Sequence, residues 1–297
     1  MENENEILEA IRNIKEKYPH RYIDLAQKYM QLSLFYLDKQ QLDKAYDAAK
    51  NYTFYAFVDD DPFVGYSIYS FRAITDYSLA DISEGKLSLV APELFNDPFD
   101  TVIKNWIEYK IDKEPNCVKK EFYYFLTKTI RFIKSRCFVS AKKDDGTKLD
   151  IEEISPLMWA HYADSHKGFC AEYEVPDGFV TNNNQNCSFT RIGKIKYGDI
   201  NSNLNQLSFC DSLLRKGSVW SYEKEIRVVN LDYTINKDFK VIKAPKLNAV
   251  YLGLKCSSED EHKLKQVLNS GEYKHTKLYR MEIDDNNFLK IKTKRIW

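Results

Sequence analysis

Over residues 4–57 the apolar positions follow a helical period. Ile7, Leu8, Ile11 and Ile14 recur at that spacing, and Pro19 closes the helix they predict. Tyr29, Leu32, Ser33 and Tyr36 mark a second helix with large residues on its inner face. A turn near Gln40 leads to a third helix, where Ala45, Ala49 and Tyr52 leave room for close packing. Asp59-Asp60-Asp61-Pro62 breaks the pattern, which divides the chain into a helical segment, 1–58, and a second part, 59–297. Beyond the break, short β-like runs mix with helices. Strands are predicted at 66–71, 87–90, 137–141, 169–175, 192–197, 225–230, 248–252 and 277–282. Helices are predicted at 101–112 and 118–136. Another starts with Ser155 as N-cap and Pro156 at the first helical position and runs to about Ser165. The polar stretch 181–187 reads as an exposed loop. The expected class is α+β, with a mixed, mainly antiparallel sheet flanked by helices and preceded by a helical hairpin.

Composition adds little except by exclusion. Lys and Arg total 44, as do Asp and Glu, so no overall excess of positive charge points to a general polyanion binder. A local basic groove and nucleic-acid binding are left open. Cys117, Cys137, Cys170, Cys187, Cys210 and Cys256 are dispersed, with no CxxC or Cys-His spacing, and fit free thiols better than disulfides or zinc. The acidic start MENENEILEA has no apolar core of a signal peptide, and no run is long enough to span a membrane. A cytoplasmic protein is expected.

Four segments carry a family resemblance: Tyr69-Ser70-Phe71-Arg72; Leu94-Phe95-Asn96-Asp97-Pro98-Phe99-Asp100; Leu157-Met158-Trp159-Ala160-His161-Tyr162 with Ala163 to Phe169; and Val219-Trp220-Ser221-Tyr222-Glu223-Lys224-Glu225-Ile226-Arg227. Over residues 66–255 their order and spacing resemble the bacterial family known as domain of unknown function 2971. That family name brings no chemistry with it. The helical hairpin before residue 58 resembles one tetratricopeptide unit. A single such unit cannot bury its own apolar face, so it packs on the main domain or docks a partner or second subunit.

Chemistry must come from the residues. On a strand, Glu223, Glu225 and Arg227 would share one face at roughly 6.5–7 Å spacing, with Trp220, Tyr222, Ile226 and Val228 on the other. Arg, then a strand Ser, then Glu-x-Glu is similar in order to ADP-ribosyltransferases of the Arg-Ser-Glu type. That resemblance implies that Arg72 orders the phosphates or ribose of NAD and that Ser140 lies on the central strand. Glu225 would stabilise an oxocarbenium-like transition state and Glu223 would face the acceptor. NAD is then a candidate substrate, and an effector of toxin or phage-defence type a candidate role.

His161 and His166 support a competing reading. With Asp97, Asp100 and the two Glu residues they offer acid–base groups for a phosphodiesterase or nuclease, though no metal-binding spacing appears and no metal is expected. Tyr69, Asn96, Asp97, Trp159 and Tyr162 are candidate substrate contacts, with Asn96-Asp97 on a turn anchored by Phe95 and Phe99. A nucleotide-sensing or protein-binding module without turnover is the third reading. If the shared-site idea is right, Arg72, His161 and Glu225 converge on one concave surface. Glu225→Gln should then abolish activity while leaving stability nearly unchanged, and Arg72→Ala should weaken ligand binding.

Overall fold

The computed structural model describes residues 2–18, 21–56, 66–95, 100, 103–143, 145–176, 179, 181–183, 188–198, 212–270, 273–274 and 276–297. The proposed boundary at Asp59–Pro62 and the candidates Asn96 and Asp97 lie outside these residues. The chain opens with α1 (Glu4–Lys17), α2 (Tyr22–Asp38) and α3 (Leu42–Ala56). Asn3 and Glu6 form a reciprocal capping box that satisfies orphan amides at the start of α1. Gln40, at φ 57°, takes the left-handed conformation that turns α2 into α3. Buried Ala45, Ala48 and Ala49 let the two helices approach closely, and Ser33 Oγ donates to the Ala45 carbonyl at 2.8 Å.

The hairpin is not a separate body. α3 lies against α6 (Cys117–Ile130), where Thr53 donates to Thr129 at 3.3 Å and the rings of Tyr52 and Phe122 meet edge-on at 5.2 Å. Phe54 reaches the sheet itself, with its ring 6.0 Å from that of Phe189. A single apolar cluster runs from Ile7 through Phe54 and Phe122 to Val229 and Leu231.

The sheet is mixed and mainly antiparallel. Its strands are β1 (Ser67–Arg72), β2 (Lys86–Val90), β3 (Ile133–Ser140), β4 (Phe169–Glu174), β5 (Thr181–Asn183), β6 (Ser188–Lys194), β9 (Glu225–Leu231), β10 (Phe239–Lys243), β11 (Lys246–Leu252), β12 (Lys277–Asp284) and β13 (Asn287–Arg295). The spatial order is β13-β12-β11-β4-β1-β3-β9-β6-β5, with β2 and β10 branching beside β3. Only β11 and β12 run parallel within it among the described residues. Two short strands, β7 (Lys196–Tyr197) and β8 (Arg215–Lys216), form a separate parallel pair. One face of the sheet packs under α4 (Asp76–Ser83) and α8 (Ser258–Asn269), using Ile68, Phe138, Ile226 and Val228 against Ile82, Leu264 and Leu268. The other face carries Tyr69 and Val139 and packs under α7 (Pro156–Tyr162) and residues 149–154. A further helix, α5 (Ile103–Lys113), precedes α6. Among the described residues no helix is long and apolar enough to cross a membrane.

Several predicted bounds move. The helix expected over 118–136 ends at Ile130, because residues 133–139 pair continuously with β9 and the sheet outweighs helical spacing. Residues 181–183 of the expected loop form β5. The helix starting at Pro156 stops at Tyr162, and Asp164, Ser165 and His166 follow with φ of 46°, 53° and 71°. This left-handed turn is held from outside: Lys255 N–H donates to the His166 carbonyl at 2.9 Å. A Cβ on Gly168 would sit 2.1 Å from the Arg72 carbonyl oxygen, so only glycine allows the turn to close against β1. β10, α8 and β13 were not anticipated.

Because Phe54 joins the hairpin to β6, Phe54→Ala should destabilise the whole chain by roughly 3–5 kcal/mol in chemical denaturation. A loss below about 1 kcal/mol would mean that the helices merely rest on the sheet.

Candidate functional site

The pleat decides which side chains can meet. β1 pairs with β3 at Tyr69–Val139, and β3 pairs with β9 at Val139–Glu225 and Cys137–Arg227. Directly paired residues share a face, so Tyr69, Phe71, Cys137, Val139, Glu225 and Arg227 all project to the α7 side. Over them lies a cavity of about 480 Å³, within the range of roughly 300–1,000 Å³ usual for small-molecule sites. Phe71, Phe95, Tyr69, Met158, Tyr162 and Trp220 supply most of its wall, and Asp100, Lys216, Glu223 and Glu225 form its charged end.

The charged end is a buried network. Lys216 Nζ lies 2.6 Å from Glu223 Oε2, 3.1 Å from Glu225 Oε2 and 3.4 Å from Asp100 Oδ2. Arg227 donates from Nε to Glu225 Oε1 at 2.6 Å, from one Nη to Asp100, and from the other to the Leu213 carbonyl at 2.8 Å. Tyr162 Oη donates to Glu223 Oε1 at 2.6 Å, and the Glu225 N–H donates to Tyr197 Oη at 2.7 Å. None of the five charged side chains is more than 6% exposed. Three carboxylates therefore face two cations.

Glu223 does not sit on the strand as expected. Residues 218–223 form a 3-10 turn, and Lys224 takes the left-handed conformation at φ 45° before β9 begins. This kink swings Glu223 back over β9, so Glu223, Glu225 and Arg227 meet although strand alternation is not the cause. The kink also brings Trp220 to the cavity, contrary to its expected place on the opposite face.

The two glutamates are driven apart electrostatically. Burial raises Glu223, and neighbouring Glu225 adds to this against the hydrogen bonds from Lys216 and Tyr162; the net direction is up from 4.5. Burial would also raise Glu225, but Arg227 and Lys216 outweigh it and hold that carboxyl below the ordinary value. Burial works against charge on Lys216, yet Glu225, Asp100 and Glu223 together hold it more firmly protonated than a free lysine. Cys137 opens on the cavity while its thiol is ringed by protein, and burial followed by the Glu225 charge pushes it well above the usual thiol range.

The remaining predicted residues fall elsewhere. Arg72 has the opposite parity to Tyr69 on β1 and projects to the α4 side, where it pairs with Asp81 at 2.6 Å. Arg136 shares that carboxylate at 3.5 Å and donates to Ser70 Oγ at 3.0 Å; burial and the charge of Arg72 push it down to about 10. The sheet thus separates Arg72 from Glu225, and the expected convergence of Arg72, His161 and Glu225 does not occur. Ser140 pairs with Ile68 on the face away from the cavity and exchanges hydrogen bonds with the backbone of Lys142 at 3.0 Å. His161 is exposed on α7 beside Tyr162 and is not among the cavity's lining residues. His166 stacks on Trp159 at 6.4 Å and is lowered by burial and by Lys255. Trp159 is buried and packs edge-on against Phe71 at 5.0 Å, so it supports the cavity wall from behind. Tyr69, Tyr162, Glu223, Glu225 and Arg227 are brought together. Lys216 escaped sequence reasoning because it lies on a two-residue strand with no periodic signal, and Tyr197, inside the strand expected over 192–197, was not singled out as a site residue. Among the described residues no cluster of His, Cys, Asp or Glu is arranged to hold a metal.

The family described as Protein of unknown function (DUF2971) has a model that matches residues 158–228. That stretch contains Met158 and Tyr162 of the cavity wall and every charged member of the network except Asp100. The chain is similar to that family there. No curated protein and no solved structure matches it.

Three outcomes follow from this geometry. Lys216→Met should cost roughly 3–5 kcal/mol, because three buried carboxylates would be left with one cation. The raised Glu223 binds its proton more tightly folded than unfolded, so the stability it confers is complete below about 4.5 and is lost as pH rises through its folded value. The stability advantage of the parent over Glu223→Gln should therefore shrink as pH rises above about 4.5; an advantage that grows would reverse the assignment. Iodoacetamide should modify exposed Cys117 in the folded protein well before Cys137, whose raised thiol is a poor nucleophile, and should spare buried Cys170, read by mass mapping of the labelled peptides.

Proposed function

We propose that the cavity is the site of glycosyl transfer from a nucleotide such as NAD, with Glu225 as the fixed anion and Glu223 as the proton acceptor. The observation that carries this reading is a pair of carboxylates at the end of an aromatic cavity, one raised and one lowered in proton affinity. Such a split is how a site assigns acid–base and charge-stabilising roles to two like groups. When the bond between nicotinamide and ribose breaks, its electron pair goes to the ring nitrogen and nicotinamide leaves neutral. The positive charge stays on the sugar, where a carboxylate held ionised by Arg227 and Lys216 stabilises it. An acceptor hydroxyl or water then attacks the sugar carbon and gives its proton to Glu223.

This reading differs from the Arg-Ser-Glu arrangement in two respects. Arg72 and Ser140 take no part, so Arg72→Ala is now expected to leave cavity binding unchanged. Glu225 is also structural: Glu225→Gln removes the main partner of a buried guanidinium, so the expectation of unchanged stability is withdrawn. A second reading, a nucleotide-sensing module without turnover, is favoured by the fact that every carboxylate of the network already has a cationic partner. The phosphodiesterase reading has less support, since neither His161 nor His166 lines the cavity.

The test is consumption of NAD by the full chain, with mass analysis of the products. Glu223→Gln should lower the rate by about 10²–10⁴ while weakening NAD affinity by no more than about tenfold. Binding without any product selects the sensing module. Neither binding nor consumption removes NAD from consideration.

A further inference from the structure

Every nitrogen of the two cations at the charged end of the cavity, Lys216 and Arg227, already has a partner. Lys216 has three N–H groups and faces three carboxylates at 2.6, 3.1 and 3.4 Å. Arg227 uses Nε on Glu225, one Nη on Asp100 and the other on the Leu213 carbonyl. The Tyr162 hydroxyl is committed to Glu223. A phosphate or carboxylate entering this end would meet three carboxylates, with Lys216 and Arg227 already engaged by them.

The aromatic wall favours the opposite charge. Lys216 Nζ already lies 4.9 Å from the centre of the Trp220 ring, and the Arg227 guanidinium lies 5.3 Å from that of Phe95. Both rings therefore sit where their negative faces act on positive charge. Phe71, Tyr69 and Tyr162 add flat apolar surface beside them. A ligand that is flat, aromatic and positive would gain from the walls and from the unbalanced carboxylate together.

We infer that the inner end of the cavity selects a cationic aromatic ring, such as an N-alkylated pyridinium, over its neutral and anionic counterparts. The inference deepens the glycosyl-transfer reading, since it takes the same cavity as the ligand site and names the part of the ligand that enters first. Anionic groups of a larger ligand stay toward the mouth.

Three pyridines that differ mainly in charge test this on the full chain: 1-methylnicotinamide as cation, nicotinamide as neutral ring and nicotinic acid as anion. Isothermal titration calorimetry should give the cation about tenfold tighter binding than nicotinamide, with nicotinic acid weakest. Glu223→Gln, which removes the unbalanced charge, should bring cation and neutral ring to within about twofold of each other. Should that variant unfold, Asp100→Asn removes the same charge and serves in its place, and the parent comparison stands without either. Equal or tighter binding of the neutral or anionic ring overturns the inference, as does the absence of binding by all three. Consumption of NAD without cation preference overturns it while leaving transfer intact. Cation preference without consumption upholds it while transfer fails.

Discussion

Five charged side chains withdrawn from water constrain much of this protein. Asp100, Lys216, Glu223, Glu225 and Arg227 come from a loop, a two-residue strand, a 3-10 turn and a central strand, and all are nearly inaccessible. Each buried ion carries a desolvation cost of several kcal/mol, offset only when its partners are close and well directed. Short elements such as β8 and the turn at 218–223 have little apolar area with which to fix themselves. Their placement is set by the ions they deliver, so a shift that broke one contact would strand the remaining charges. The network is thus both the end wall of the cavity and the clamp that holds that wall in place.

The sheet keeps this network apart from a second one. Arg72, Arg136 and Asp81 lie on the α4 face, and the pleat makes the separation absolute, because a residue cannot change face without slipping register. Order along the chain therefore says little about a shared site when the residues come from adjacent strands. Tyr69 and Arg72 are three positions apart on one strand and serve opposite sides of the protein. The Arg-Ser-Glu order is present in the sequence, but parity removes Arg72 and Ser140 from the cavity that Glu225 lines.

Legibility in the sequence followed the strength of local periodicity. α1 to α3 and the central strands were readable because their apolar spacing repeats over several turns or alternations. The end of α6 was not, since Arg131 to Arg136 suits a helix locally and is drawn into β3 by its neighbours. Glu223, Glu225 and Arg227 were correctly expected to gather, though the cause is a left-handed Lys224 and not a continuous strand. Lys216 illustrates the limit. Nothing adjacent to it signals burial, and its role is fixed by carboxylates that lie as far away in sequence as Asp100. His161 and Ser140 show the converse, where a reactive residue type near a motif proved to be surface or backbone support.

The two glutamates differ in what their neighbours permit. Glu225 is fixed by the Arg227 guanidinium on one oxygen and by the Lys216 ammonium on the other, so protonating it would unbalance two buried cations at once. Glu223 is held by Lys216 and by the neutral Tyr162 hydroxyl. A proton arriving there leaves Arg227 anchored and Lys216 still facing Glu225 and Asp100. The network can therefore change its charge by one at a single site without dismantling the clamp. A wall that is rigid in position yet adjustable in charge meets the requirement for preorganised stabilisation of a developing cation, since no reorientation is needed as the charge appears. The same property lets the cavity exist without a ligand: in the empty state Glu223 can take up the excess charge as a bound proton, and an entering cation can replace that proton.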